Sequence, residues 1–130
     1  MEKKKRLLLI DDDEDDIFLF KEALLQTGTE VTFFYESNSQ HALSILQKGS
    51  LGPLDMIFVD WNMPVRNGLE CVREIRKMPA YQNTPVIVWS TTIDVNDIRN
   101  VTQVGASQVF RKPNNIEDLV TGLSRFVTSQ

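Results

Sequence analysis

The sequence predicts an α/β protein, a doubly wound five-stranded parallel sheet of (βα)5 form sandwiched between two layers of helices. Short apolar runs alternate five times with longer segments of helical period. That alternation implies parallel strands joined by right-handed crossovers, with helices on both faces. Three of the runs, Leu7-Leu8-Leu9-Ile10, Met56-Ile57-Phe58-Val59 and Val86-Ile87-Val88-Trp89, are apolar at every position, as strands covered on both sides should be.

The remaining strands are Val31-Thr32-Phe33-Phe34 and the short Val109-Phe110. Between the first two strands, Ile17, Phe20, Ala23 and Leu24 make one stripe of an amphipathic helix, with Gly28 as its stop. Ala42, Leu43, Ile45 and Leu46 repeat the pattern. Leu69, Val72, Ile75 and Arg76 mark a third helix, closed by Pro79. A fourth runs from about Val95 to Val104 and stops at Gly105. Ile116, Leu119, Val120, Leu123 and Val127 mark the last. The expected strand order is flavodoxin-like, and in such sheets ligands gather outside the carboxyl ends of the strands.

A chain of 130 residues, 42% hydrophobic and 25% charged, has the size and composition of one soluble domain. Residues 1–6 and 129–130 are expected to be flexible flanks. Its net charge of −4 argues against general affinity for nucleic acid or an anionic membrane. The basic run Lys3-Lys4-Lys5-Arg6 reads as a solvated flank. It is not the start of a signal peptide, because only four apolar residues follow before the acids begin. No apolar run approaches the roughly 18 residues needed to span a bilayer, so the expected location is the cytoplasm. Cys71 is the only cysteine, so no intramolecular disulfide can form; His41 is the only histidine, and a lone histidine does not make a zinc site.

The chemistry lies at the strand ends. Strand one runs into Asp11-Asp12-Asp13-Glu14-Asp15-Asp16, strand three ends in Asp60, strand four in Ser90-Thr91-Thr92, and strand five leads into Lys112-Pro113. Asp13 to Asp16 read as a solvated first helical turn, where negative charge suits the helix dipole. Asp11 and Asp12 instead emerge from a buried strand towards Asp60. Two carboxylates 4 Å apart repel by roughly 4 kcal/mol at an effective dielectric near 20, so three in one pocket call for a cation. Oxygen-only ligands with room for water suit Mg²⁺. An aspartate beside a metal and a lysine has the arrangement of a nucleophile that forms an acyl phosphate. Asp60-Trp61-Asn62-Met63-Pro64 also reads as a turn, and Trp89 as core.

These segments resemble the response-regulator receiver family over essentially the whole chain. The likeness rests on Asp11-Asp12 after an apolar strand, Asp60-Trp-Asn-Met-Pro64 with Asn67-Gly68, and Ser90-Thr91. Gly105-Ala106-Ser107 leading to Lys112-Pro113 completes it. The short chain and acidic stretch look like the stand-alone regulators associated with phytochromes. The resemblance implies that Asp60 is the phosphoacceptor and that Asp11, Asp12, Asp60 and the backbone carbonyl of Asn62 hold Mg²⁺. It makes Ser90 the switch hydroxyl, Lys112 the phosphate-pairing lysine, and the Lys112–Pro113 peptide cis. Asn62 and Thr92 match positions that tune dephosphorylation. Val109 departs from the pattern, since it stands where family members often carry a switching Tyr or Phe.

The resemblance also implies a donor, a phosphohistidine on a sensor kinase or phosphotransfer protein. The chain would catalyse its own phosphorylation and dephosphorylation without turning over an external substrate. The face of helix four, strand five and helix five would then bind a downstream protein or a second copy. Two alternatives stand beside this reading. One is a receiver-like interaction module that is never phosphorylated. The other is a phosphatase of the haloacid-dehalogenase class, but Asp15 occupies the place where that family's opening motif wants Thr or Val. A flavodoxin would need a Ser/Thr-rich phosphate loop where this chain has acids.

Overall fold

In a computed structural model that describes residues 4–63 and 67–128, the strands are β1 (Lys5–Ile10), β2 (Val31–Glu36), β3 (Met56–Asp60), β4 (Val86–Ser90) and β5 (Gln108–Arg111). The helices are α1 (Glu14–Gln26), α2 (Ser39–Gln47), α3 (Gly68–Arg76), α4 (Val95–Gln103) and α5 (Ile116–Val127), with a 3₁₀ turn at Pro79–Tyr81. All strand pairs are parallel and the order is β2-β1-β3-β4-β5. This is the flavodoxin-like arrangement, with its switch point between β1 and β3.

Strand alternation divides the interior into two cores. Leu7 and Leu9 face one cluster with Phe58, Ile87, Trp89 and the inner residues of α1 and α5. Leu8 and Ile10 face the other, with Ile57, Val59, Val88 and the inner residues of α2, α3 and α4. Each central strand must therefore be apolar at every position, which explains the continuous runs. The first core is rich in aromatic contacts. Phe20 stacks on Phe33 at 5.6 Å and meets Phe58 and Trp89 edge-on, both at 5.1 Å; such pairs add about 0.5–1.5 kcal/mol each beyond area burial.

The helices start where a side chain can accept their first free N–H groups. Asp13, Asn38, Asn67, Asp94 and Asn115 each cap the helix that follows. At the far end of α4, Gly105 has φ +123°, and a Cβ there would meet Arg76 Cγ at 2.5 Å. That closeness lets the Arg76 guanidinium donate to the carbonyls of Gly105, Tyr81 and Thr84 at 2.9, 2.8 and 2.7 Å.

β1 begins before its apolar run. Lys5 and Arg6, expected in a flexible flank, pair with Val31 and Thr32. Arg6 belongs there because its polar atoms are satisfied: its backbone N–H donates to the Asp55 carboxylate, and its guanidinium donates to the Leu51 and Pro53 carbonyls while lying over the Phe34 ring. The flanks at 1–3 and 129–130 lie outside the described residues.

Candidate phosphoryl-transfer site

Parallel strands bring their carboxyl ends to one edge, and four of the five deliver site residues there. Ile10, the last residue of β1, pairs with Val59, so Asp11 leaves the sheet beside Asp60. Asp60 pairs with Trp89, which puts Ser90 one step further along β4. Ser90 pairs with Arg111, and the Lys112 backbone N–H donates to the Ser90 carbonyl at 2.9 Å. The backbone ladder thus fixes the origin of each side chain before any side-chain contact is made.

Asp11 and Asp60 are buried and Asp12 is exposed. One oxygen from each of the three lies within 4.8 Å of the others. The Lys112 amine enters this group, 3.0 Å from Asp60 and 3.2 Å from Asp11. Its side chain is only 12% exposed, so these contacts work in a medium that screens them poorly. The other Asp11 oxygen accepts the Asp13 backbone N–H at 2.8 Å, which aims the carboxylate inward.

The charges do not balance. Burial and the neighbouring Asp11 charge push the Asp60 carboxyl up to about 7, although Lys112 pulls the other way. Burial likewise raises Asp11, against the Asp13 N–H and Lys112. Burial disfavours the charge on Lys112, but Asp16, Asp11 and Asp60 outweigh it, and the net effect is to hold the ammonium more firmly protonated. More positive charge is wanted here than one lysine brings. Three hard carboxylate oxygens in this spacing fit a divalent cation of the Mg²⁺ type.

Close packing on the Asp60 loop requires Gly68. A Cβ there would come within 3.0 Å of the Asp60 carbonyl, the Trp61 Cα and the Trp61 ring. The Gly68 N–H donates to the Trp61 carbonyl at 3.0 Å, and the Trp61 N–H donates to the Trp89 carbonyl at 3.1 Å. Asn62 is exposed; Pro64, part of the motif read above, lies outside the described residues.

Ser90 is buried, and its hydroxyl donates to the Thr92 carbonyl at 2.7 Å. Thr91 and Thr92 are exposed at the mouth of the site. Val109 pairs with Val88 and packs against the core beneath α2, α3 and α4. Two expectations need correction. No peptide among the described residues is cis, so Lys112–Pro113 is trans. The trans isomer is lower in energy by about 0.5–1 kcal/mol, and the long lysine stem reaches Asp60 from it. Asp16 is not merely solvated: its carboxylate takes the Lys112 ammonium at 2.7 Å. The sequence does not single it out, because an acid in the first turn of a helix has an ordinary explanation in the helix dipole. A signal was present, since Asp16 lies on the same turn as Ile17, a buried residue of the α1 face.

Fold and site together define the class: a (βα)5 domain with an aspartate–lysine cluster at the carboxyl edge of its sheet. The family model for the response regulator receiver domain matches residues 7–124, and the chain belongs to that family. It is 28% identical over 97 residues to the sensor histidine kinase CheAY of Helicobacter pylori, covering 75% of this chain and 12% of that one. It is 31% identical over 58 residues to a chemotaxis protein CheY homolog of Campylobacter jejuni, covering 45% of each. The chain therefore spans less than half the length of these curated relatives. Among solved structures, it is similar to the phosphorylated cyanobacterial phytochrome response regulator RcpA, with TM-score 0.84, 25% identity and coverage of 98% of this chain and 96% of that one. The chemotaxis response regulator CheY4 of Vibrio cholerae gives TM-score 0.79 and 28% identity, over 95% and 98%. No helix among the described residues is long and apolar enough to cross a membrane.

Proposed function

We propose that this receiver domain accepts a phosphoryl group on Asp60 from a phosphohistidine of a sensor kinase or histidine phosphotransfer protein. The observation that carries the proposal is the Asp60 carboxylate held 3.0 Å from the Lys112 ammonium, on a side chain only 12% exposed, within a cluster of three aspartates. RcpA, similar in fold and 25% identical, is a phosphorylated regulator. Asp11, Asp12, Asp60 and the Asn62 carbonyl would hold Mg²⁺, which supplies positive charge to the transferring phosphoryl oxygens when bound.

An Asp60 oxygen attacks phosphorus, the phosphorus–nitrogen bond of the donor breaks, and the electron pair stays on the departing imidazole. Lys112, already turned towards Asp60, pairs with a new phosphoryl oxygen. Ser90 exchanges the Thr92 carbonyl for another of these oxygens and draws the Thr91-Thr92 loop inward. Val109 has no ring to rotate, so readout passes through that loop to α4, β5 and α5. That face takes a downstream protein or a second copy; Val95, 71% exposed at the start of α4, is a contact point there. The protein acts in the cytoplasm and turns over no external substrate.

Incubation with acetyl phosphate and Mg²⁺, followed by intact-mass measurement, tests the proposal. The expected result is a gain of one phosphoryl group that disappears in Asp60→Ala. No gain in the wild type, or an equal gain in the variant, sinks it. An unmodified protein that still binds its partner would point to the interaction module instead.

A further inference from the structure

The geometry points to Asp16 as a positioning residue that, with the Trp89 ring, seats the Lys112 ammonium and draws part of its charge away from Asp60. This deepens the phosphoacceptor reading and rests on it for its kinetic consequence, but not for the seat itself.

Three carboxylates surround one ammonium, and the shortest contact belongs to neither strand-end residue. Lys112 Nζ is 2.7 Å from Asp16, against 3.0 Å from Asp60 and 3.2 Å from Asp11. On a further side the ammonium lies 4.6 Å from the centre of the Trp89 ring, within the range of a cation–π contact. Trp89 cannot easily move: it is 2% exposed and meets Phe20 edge-on. The amine is thus in contact with both a fixed aromatic ring and a helix-borne carboxylate.

Asp16 is well placed for this task and poorly placed for any other in the site. It sits in the first turn of α1, whose start is pinned by the Asp13 cap, and its side chain is 27% exposed. It does not belong to the group of three whose oxygens lie within 4.8 Å of one another. Yet its carboxylate and that of Asp60 share one ammonium, so their bonded oxygens are within about 6 Å. A unit charge at that distance changes the local concentration of an anion about threefold in water-like screening, and more in a drier site. Asp16 therefore steadies the lysine and also repels an anionic phosphodonor.

Two measurements test this. In ¹H–¹⁵N spectra of the protein without divalent cations, the Lys112 ammonium, assigned by its absence in Lys112→Met, should give a slowly exchanging signal. It should broaden or vanish in Asp16→Asn and return in Asp16→Glu. With Mg²⁺ present, the acetyl phosphate concentration giving half-maximal phosphorylation should fall at least threefold in Asp16→Asn, with a smaller change in maximal rate. A Lys112 signal unaltered in Asp16→Asn overturns the seat, and a half-saturating concentration less than threefold below wild type overturns the repulsion of the phosphodonor. Should the wild type take up no phosphoryl group, the phosphoacceptor reading fails, and the Lys112 signal decides the seat by itself.

Discussion

Lys112 touches three carboxylates, and each reaches it by a different route. Asp11 comes straight off β1, Asp60 off β3, and Asp16 down from the first turn of α1. One ammonium cannot offset them all, which is why Asp60 remains protonated up to about pH 7, mainly through burial and the adjacent Asp11. Replacing Lys112 by Met keeps the stem and removes the charge. Since Lys112 is what lowers the Asp60 carboxyl, the midpoint of Asp60 in the cation-free variant should rise about one to three pH units above wild type. Carboxyl ¹³C spectra, with Asp60→Asn as the assignment control, would show this. A midpoint unchanged or lower would mean that the contact at 3.0 Å does not persist in solution.

Elements carry the same logic over longer distances. Arg76 at the end of α3 ties the helix to the 3₁₀ turn, to the segment before β4 and to the loop before β5 through the carbonyls of Tyr81, Thr84 and Gly105. These acceptors are part-buried; in Arg76→Ala the Gly105 and Thr84 carbonyls lose this charged donor, while the Tyr81 carbonyl keeps the Thr84 N–H, so a loss of about 2–4 kcal/mol in urea unfolding is expected. Arg76→Lys should recover only part of it, because an ammonium cannot span acceptors that a planar fork reaches together. Equal stability of Arg76→Ala and wild type would show that water replaces the guanidinium without cost. Nothing in the sequence marks this hub, since its partners are backbone carbonyls and carry no residue-type signature; Arg76 reads there only as the edge of an apolar stripe. The same limit applies to Arg6, whose place in β1 depends on carbonyls at Leu51 and Pro53. By contrast, the strands were legible because a sheet covered on both faces demands apolar residues at every position. The convergence of Asp11, Asp60, Ser90 and Lys112 was legible because parallel topology sends all strand ends to one edge. Asp16 was not, because its role depends on how far a lysine stem bends back.

At the scale of the molecule, the two cores stabilise a sheet whose edge accumulates negative charge, and the balance depends on pH. In the unfolded chain Asp60 should lose its proton near the ordinary carboxylate value of about 3.9. In the folded, cation-free protein it keeps that proton to about pH 7, and Asp11 is displaced in the same direction. The folded state therefore binds more protons than the unfolded state between these values, and stability falls as pH rises through the window. The contribution is fully present below about pH 4 and is lost as pH passes about 7. Lys112 is displaced upward, so it contributes no slope below its unfolded value of about 10.4. With EDTA present, the urea midpoint should be higher at pH 5 than at pH 8, and Asp60→Asn should flatten most of that difference by removing the carboxyl that titrates. Mg²⁺ at pH 8 should raise the wild-type midpoint, since a ligand that binds only the native state stabilises it by RT ln(1 + [L]/Kd), and should raise that of Asp60→Asn less. A midpoint that climbs from pH 5 to pH 8 in EDTA would mean that Asp11 and Asp60 are not held together and dry in the folded protein.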